Sequence, residues 1–132
     1  MTEQPFSILV VDDEEGVRRF VDRALNAAGY RTVTVASGAE ALTAAATGEF
    51  DMVVTDLMMP EMTGDELARR LRAQTPLLKV LYLTGFCDQL FAEKVTLWKD
   101  EAFLEKPCTL RGLLEAVSLL LIGRVHIPDS LA

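Results

Sequence analysis

Five short apolar runs recur along this chain, and longer segments with helical periodicity separate them. An apolar run of about four to eight residues, bounded by turn residues, is typical of a strand in a parallel sheet that helices cover on both faces. We therefore predict an α/β fold in which a strand followed by a helix is repeated five times, (βα)5. The predicted strands are Ser7–Val11, Thr32–Val35, Asp51–Asp56, Lys79–Thr84 and Ala102–Leu104.

Cap and turn residues mark the ends of the predicted helices. Gly29 ends the first helix, Ser37 and Glu40 have the spacing of a capping box, and Thr109 is a candidate N-cap. Right-handed crossovers place such helices on both sides of the sheet, so the fold is a doubly wound five-stranded parallel sheet. The helical stripes are Val17 to Ala28, Ala41 to Ala45, Leu67 to Leu71, Asp88 to Trp98 and Thr109 to Ile122.

The length and charge of the chain restrict its class. The 132 residues, half of them apolar, suit a single domain, with a core from about residue 7 to 122 and a tail over 123–132. The net charge of −7 argues against direct binding of nucleic acid or of an anionic membrane surface. No apolar run reaches the ~18 residues of a membrane span. The start shows no signal peptide and the two cysteines lack a metal spacing, so we expect a cytoplasmic protein.

Polar residues follow four of the predicted strands at their carboxyl ends, where parallel sheets bind ligands. Three of these residues are carboxylates, and two unit charges ~4 Å apart repel by about 4 kcal/mol at an effective dielectric of 20. A cation would offset this repulsion, and carboxylate oxygens in an open site suit Mg²⁺. The residues are Asp12, Asp13, Asp56, Thr84 and Lys106.

This combination suits chemistry on a phosphoryl group. A carboxylate beside Mg²⁺ and a lysine can attack phosphorus and form an aspartyl-phosphate, while the cations offset charge on the phosphoryl oxygens. Taken singly, each residue has a simpler explanation: a strand-end aspartate forms turns, acids favour a helix N-terminus, and Thr84 or Lys106 can be an ordinary strand or edge residue. The joint pattern at successive strand ends favours the functional interpretation.

With these residues in place, the chain from about residue 7 to 122 resembles the receiver domain of two-component response regulators, of the chemotaxis-regulator type. The resemblance implies a flavodoxin-like strand order 2-1-3-4-5. Two departures lie near the surface that such domains use for output, namely Cys108 after Lys-Pro and the segment Lys99–Ala102. The matching pieces are Val10–Glu14, Asp56–Pro60 with Gly64, Leu83–Gly85 and Phe103–Pro107.

The resemblance also implies roles for individual residues. Asp56 would be the phosphoacceptor, and Mg²⁺ would be held by Asp12, Asp13, Asp56 and the backbone carbonyl of Met58. Thr84 and Lys106 would contact the phosphoryl group. In the same resemblance Phe103 is the switch aromatic, which moves together with Thr84, and the Lys106–Pro107 bond is cis.

The implied function is a signalling domain rather than an enzyme. It would take a phosphoryl group from a sensor histidine kinase or a histidine phosphotransfer protein and change its output surface. The last helix is apolar nearly all round at Leu119–Ile122, which predicts a homodimer or partner surface, or a cover formed by Val125, Ile127 and the tail.

Three alternatives are less consistent with the sequence. An aspartate-nucleophile phosphatase of the haloacid dehalogenase type has two acids separated by one residue, whereas Asp12 and Asp13 are adjacent. A flavodoxin-like FMN carrier needs a phosphate loop that the acids after the first strand would repel. A receiver-shaped scaffold that is never phosphorylated would not need all five site residues.

Overall fold

The computed structural model describes residues 5–85, 100–106 and 108–131, which contain a five-stranded parallel sheet. The strand order is β2-β1-β3-β4-β5, so the predicted α/β class and strand order are confirmed. The strand order reverses between β1 and β3, which opens a crevice at their carboxyl ends. The strands are β1 (Ser7–Val11), β2 (Arg31–Val35), β3 (Met52–Asp56), β4 (Lys79–Thr84) and β5 (Glu101–Glu105).

Helices cover both faces of the sheet. The described helices are α1 (Glu15–Ala27), α2 (Gly38–Thr47), α3 (Gly64–Gln74) and α4 (Leu110–Ile122), followed by a 3₁₀ turn over Asp129–Leu131. The helix predicted over Asp88–Trp98 lies outside the described residues, as do Cys87 and the bond to Pro107. None of the helices in the described ranges is long and apolar enough to cross a membrane.

The core has two layers because successive residues of a strand point to opposite faces. In β1, Leu9 and Val11 pack in the layer under α2 and α3, whereas Ile8 and Val10 pack in the layer under α1 and α4. The central strands therefore need apolar residues at nearly every position. This explains why they appear in the sequence as continuous apolar runs.

The predicted caps are present. The Ser37 hydroxyl accepts a hydrogen bond from the backbone N–H of Glu40 at 3.2 Å, and the Thr109 hydroxyl accepts one from Gly112 at 3.0 Å. Gly29 follows α1 with φ +97°, a left-handed conformation that glycine adopts without steric cost. Thr109, three residues after Lys106, thus caps the start of α4.

The burial of β2 differs from the one-faced burial that its alternating valines suggest. Val33 is 44% exposed, and Val35 is only partly buried. The strand lies at the edge of the sheet, where it has a single neighbour, β1. Strand bounds also shift slightly, since β3 begins at Met52 and β5 extends over Glu101–Glu105.

Candidate functional site

Two neighbouring strands bring Asp12 and Asp56 together. Asp56 is the last residue of β3, and Asp12 directly follows β1. Val11 pairs with Thr55 in the parallel register, so the residues that follow these two, Asp12 and Asp56, occupy neighbouring positions. Both are buried, with 1% and 6% of their surface exposed.

The acids after β1 complete a cluster with Asp56. Each of four carboxylates offers an oxygen that lies within 4.8 Å of the others, and these belong to Asp12, Asp13, Glu14 and Asp56. Asp13 and Glu14 are exposed, so the cluster opens to solvent on one side. Glu14 is not among the predicted site residues, although it is the third of the consecutive acids that follow β1.

Lys106 reaches this cluster from beyond β5. Its backbone N–H donates to the carbonyl of Thr84 at 2.9 Å, which extends the pairing of β4 and β5 by one residue. The Lys106 ammonium lies 3.0 Å from Asp12 Oδ2, 3.3 Å from Asp56 Oδ2 and 3.4 Å from Glu14 Oε1. Burial lowers the pKa of Lys106, but its contacts with Asp12 and Asp56 outweigh that effect and raise the pKa overall. The ammonium therefore remains charged at neutral pH.

Backbone groups orient the two buried acids. Asp12 Oδ1 accepts a hydrogen bond from the backbone N–H of Glu14 at 2.9 Å, while the Arg18 guanidinium donates to the Asp12 carbonyl at 2.7 Å. Asp56 Oδ1 accepts one from the N–H of Met58 at 3.2 Å, and Met58 is 51% exposed.

The surroundings of Asp56 disfavour its charged form. Burial and the negative charge of Asp12 raise the pKa of Asp56 from 3.8 to about 6, although Lys106 and the Met58 N–H act in the opposite direction. At pH 7 the carboxylate is still mostly ionised, yet it is much less stabilised than an exposed aspartate. Such a carboxylate gains from a nearby cation.

The donors at this site fit Mg²⁺. Asp12 Oδ2 is buried, and within the described residues its contact is the ion pair with the Lys106 ammonium, which Asp56 and Glu14 share. Buried carboxylate oxygens normally have partners that offset their lost hydration. A hard divalent cation that takes a few carboxylate oxygens and keeps several waters would supply such a partner.

Thr84 and Phe103 extend the site along β4 and β5. Thr84 is fully buried at the end of β4, one residue past the pairing of Asp56 with Leu83. Phe103 lies away from the acids, in the middle of β5, and its ring stacks on Tyr82 with centroids 4.9 Å apart. The structure thus groups the acids with Lys106 and places the expected switch aromatic in a neighbouring part of the core.

Comparisons with known proteins agree with this architecture. Residues 8–118 match the family described as response regulator receiver domain. The response regulator receiver protein CpdR of Brucella abortus is 36% identical over 116 residues, which cover 88% of this chain and 97% of that protein. The solved chemotaxis protein CheY4 of Vibrio cholerae has a TM-score of 0.77 at 30% identity, covering 89% of this chain and 100% of that one.

Another relative is much longer than this chain, and a further solved structure is of similar length. The sensor kinase CckA of Brucella abortus is 38% identical over 117 residues, which are 87% of this chain but 12% of that protein. A response regulator receiver protein of Sinorhizobium medicae has a TM-score of 0.80 at 32% identity, covering 89% of this chain and 95% of that structure. The same kind of domain therefore occurs both in short proteins and as a part of long ones.

Proposed function

Because the chain belongs to the family of response regulator receiver domains of two-component systems, we propose that Asp56 accepts a phosphoryl group and that this event switches the domain. The observation that carries the proposal is the placement of Asp56, a buried carboxylate between the acids after β1 and the ammonium of Lys106. The phosphodonor we propose is a sensor histidine kinase or a histidine phosphotransfer protein.

In the proposed reaction an Asp56 carboxylate oxygen attacks phosphorus, and the bond from phosphorus to the donor atom breaks. Lys106 offsets the charge on the phosphoryl oxygens, since its ammonium already lies 3.3 Å from Asp56 Oδ2. The raised pKa of Asp56, about 6, supports this role, because a poorly stabilised carboxylate is more reactive at neutral pH than a well solvated one.

Asp12, Asp13, Asp56 and the backbone carbonyl of Met58 would hold Mg²⁺, with Glu14 at the open side of the cluster. Bound there, Mg²⁺ would neutralise negative charge on the carboxylates and the phosphoryl oxygens. The chain's own contribution is to fix the acids at the ends of β1 and β3 and to keep Lys106 against them.

We propose that the switch passes through Thr84 and Phe103. The Thr84 hydroxyl would move to contact the phosphoryl group. The Phe103 ring could then enter the space that Thr84 vacates, which would shift the population between two packings of the ring. Phe103 suits this role because it carries no hydroxyl that would need a partner in the core. The conformational response to phosphorylation should reach β5, which contains Phe103, and the start of α4, which follows β5 in the chain.

Intact mass after incubation with acetyl phosphate and Mg²⁺ tests the proposal. We expect a gain of one phosphoryl group in the native protein and none in Asp56→Asn. Asp51→Asn is the matched control, because Asp51 precedes the opposite end of the same strand, and it should be phosphorylated like the native protein. Phosphorylation of Asp56→Asn at the native level would overturn the assignment. Steady turnover of a phosphate ester would instead favour the phosphatase alternative.

Thermal unfolding with and without Mg²⁺ tests the metal site. A ligand that binds only the folded state raises its stability, so Mg²⁺ should raise the unfolding temperature of the native protein. Asp13→Asn should reduce that increase. Glu15→Gln is the control, since Glu15 pairs with Arg19 on the exposed face of α1 and should respond to Mg²⁺ like the native protein. An unchanged response in Asp13→Asn would refute the ligand set.

A further inference from the structure

Tyr82 and Phe103 form a cross-strand aromatic pair in the core. They are register partners on β4 and β5, and their rings stack with an interplanar angle of 14°. Aromatic pairs on adjacent strands contribute stability in addition to that from the apolar area that they bury, and this favours the stacked arrangement. Tyr82 is fully buried whereas Phe103 is only partly buried, so Tyr82 is the fixed member and Phe103 the one with room to move.

The Tyr82 hydroxyl is anchored to a buried acid. It donates to Glu101 Oε2 at 3.3 Å, and the Glu101 side chain is 1% exposed. Burial and the charge of Glu101 raise the pKa of Tyr82 far above its usual value, so the hydroxyl stays protonated and remains a donor. The orientation of the Tyr82 ring is therefore tied to the position of Glu101.

Glu101 is in turn bound to Arg72 near the end of α3. The Arg72 Nη1 atom lies 2.6 Å from Glu101 Oε2 in a pair that is nearly buried. Arg72 Nε also donates to the Leu78 carbonyl at 3.0 Å, and its Nη2 donates to the Asp100 carbonyl at 3.2 Å. These carbonyls directly precede β4 and β5, so Arg72 sits at the end of the sheet opposite Asp56.

We propose that Tyr82 is a positioning residue for Phe103 and that, through Glu101, it couples this ring to Arg72 on α3. This inference rests on the proposed function, because it concerns how a switch at Phe103 spreads. A change in the stacking of Phe103 alters the environment of the Tyr82 ring, and the hydroxyl transmits it to the Glu101–Arg72 pair. The phosphorylation signal then reaches the far end of α3 as well as β5 and α4.

Two variants separate the stack from the hydroxyl link. Tyr82→Phe retains the aromatic ring but loses the donor to Glu101, whereas Tyr82→Leu loses both. In unphosphorylated protein, the NMR signals of the Phe103 ring should retain their stacking shift in Tyr82→Phe and lose it in Tyr82→Leu. Should Tyr82→Leu fail to fold, Tyr82→Phe still tests the link to Arg72.

Phosphorylation with acetyl phosphate and Mg²⁺ then tests the coupling. We expect the Thr84 amide signal to shift in the native protein and in both variants, while the Arg72 Nε–H signal shifts in the native protein alone. A purely structural role for Tyr82 would leave the Arg72 response intact in Tyr82→Phe, and that result would overturn the coupling.

The outcomes also separate this inference from the proposed function. Absence of a phosphoryl group by intact mass would refute the proposed function, and the Phe103 ring signals of the unphosphorylated proteins would then decide the positioning role on their own. An unchanged stacking shift in folded Tyr82→Leu would refute the positioning role. A Thr84 shift without any Arg72 shift in the native protein would refute the coupling even when phosphorylation succeeds.

Discussion

Asp56 is a carboxylate whose own surroundings raise the free energy of its charged form. Burial and Asp12 raise its pKa from 3.8 to about 6, so in the absence of metal the folded protein binds a proton there more tightly than the unfolded chain does. The contribution of Asp56 to the stability of the fold therefore falls as pH rises through the window from about 4 to 6. Below that window the group is protonated in both states and contributes nothing.

Asp56→Asn should make the metal-free protein more stable at pH 7, by about 1–3 kcal/mol, because the amide removes a poorly stabilised charge. Its carbonyl can still accept the hydrogen bond from Met58. Urea unfolding in chelator at pH 4 and pH 7 measures the effect, and the difference between the two proteins should grow with pH. A native protein that is more stable than Asp56→Asn at pH 7 would contradict the raised pKa.

Met58 lies two residues past the proposed phosphoacceptor and is 51% exposed. A thioether cannot orient a water by hydrogen bonding as an amide can. We therefore predict that Met58→Asn releases phosphate faster than the native protein when both are loaded and then incubated in Mg²⁺ buffer. Leu77→Asn, at an exposed position between α3 and β4, serves as the control. Equal or slower release from Met58→Asn would show that this side chain does not limit the approach of water.

At the scale of single elements, the start of α3 is packed directly against the end of β3, where Asp56 lies. The backbone N–H of Gly64 donates to the Leu57 carbonyl at 2.8 Å. A Cβ atom on Gly64 would lie 2.3 Å from the carbonyl oxygen of Asp56 and 3.0 Å from the Cα of Leu57. Only glycine permits this approach, so the helix N-terminus and the site geometry depend on the same residue.

Gly64→Ala should lower the free energy of unfolding by about 1–3 kcal/mol and slow phosphorylation by acetyl phosphate, because backbone atoms next to Asp56 must move. Gly16→Ala is the matched control near the start of α1, where an added Cβ meets nothing within 4 Å. There alanine should stabilise the helix by up to about 1 kcal/mol. Similar stabilities for the two variants would contradict the close packing at Gly64.

At the scale of the whole molecule, the C-terminal tail packs back onto the domain. Ile127 and Leu131 contact the core layer between α1 and α4, and the His126 N–H donates to the Ser118 hydroxyl at 2.9 Å. The tail thus adds to this core layer, whereas the cover over Leu119–Ile122 that the sequence suggests stays a prediction, since Val125 is 50% exposed.

Ile127→Ala should lower the stability of the protein by about 1–2 kcal/mol, since its partly buried side chain loses apolar contacts. Val125→Ala removes a similar side chain at an exposed position and should change stability by less than about 0.5 kcal/mol. Thermal unfolding measures both. Equal effects of the two variants would mean that the tail does not pack on the domain in solution.

Part of the apolar surface of α4 is not covered by the tail. Leu119 is 49% exposed and Ile122 is 41% exposed, so the homodimer expected from the apolar last helix stays a prediction. Sedimentation velocity of the phosphorylated and unphosphorylated protein over a range of concentrations tests it. Leu119→Glu should shift any dimer toward the monomer, and a native protein that is monomeric at all concentrations would remove the homodimer.

Several features of this protein followed from the sequence alone because they depend on neighbours along the chain. Strands buried on both faces must be continuously apolar, and caps act within one turn of a helix, so β1, β3 and the caps at Ser37 and Thr109 could be predicted. Parallel strands end at one edge of a sheet. The meeting of Asp12 with Asp56 could therefore be predicted from the sequence.

Other features depend on contacts between distant segments, which only the tertiary structure decided. Lys106 contacts three carboxylates, and the pKa of Asp56 is raised, because distant segments pack around these residues. No local sequence pattern indicates that packing. The same holds for the link from Phe103 through Tyr82 and Glu101 to Arg72, which joins β5, β4 and α3. The sequence determined which residues face the sheet edge and the core. The register and docking of the elements decided which of them touch, because a contact depends on distance in space and not along the chain.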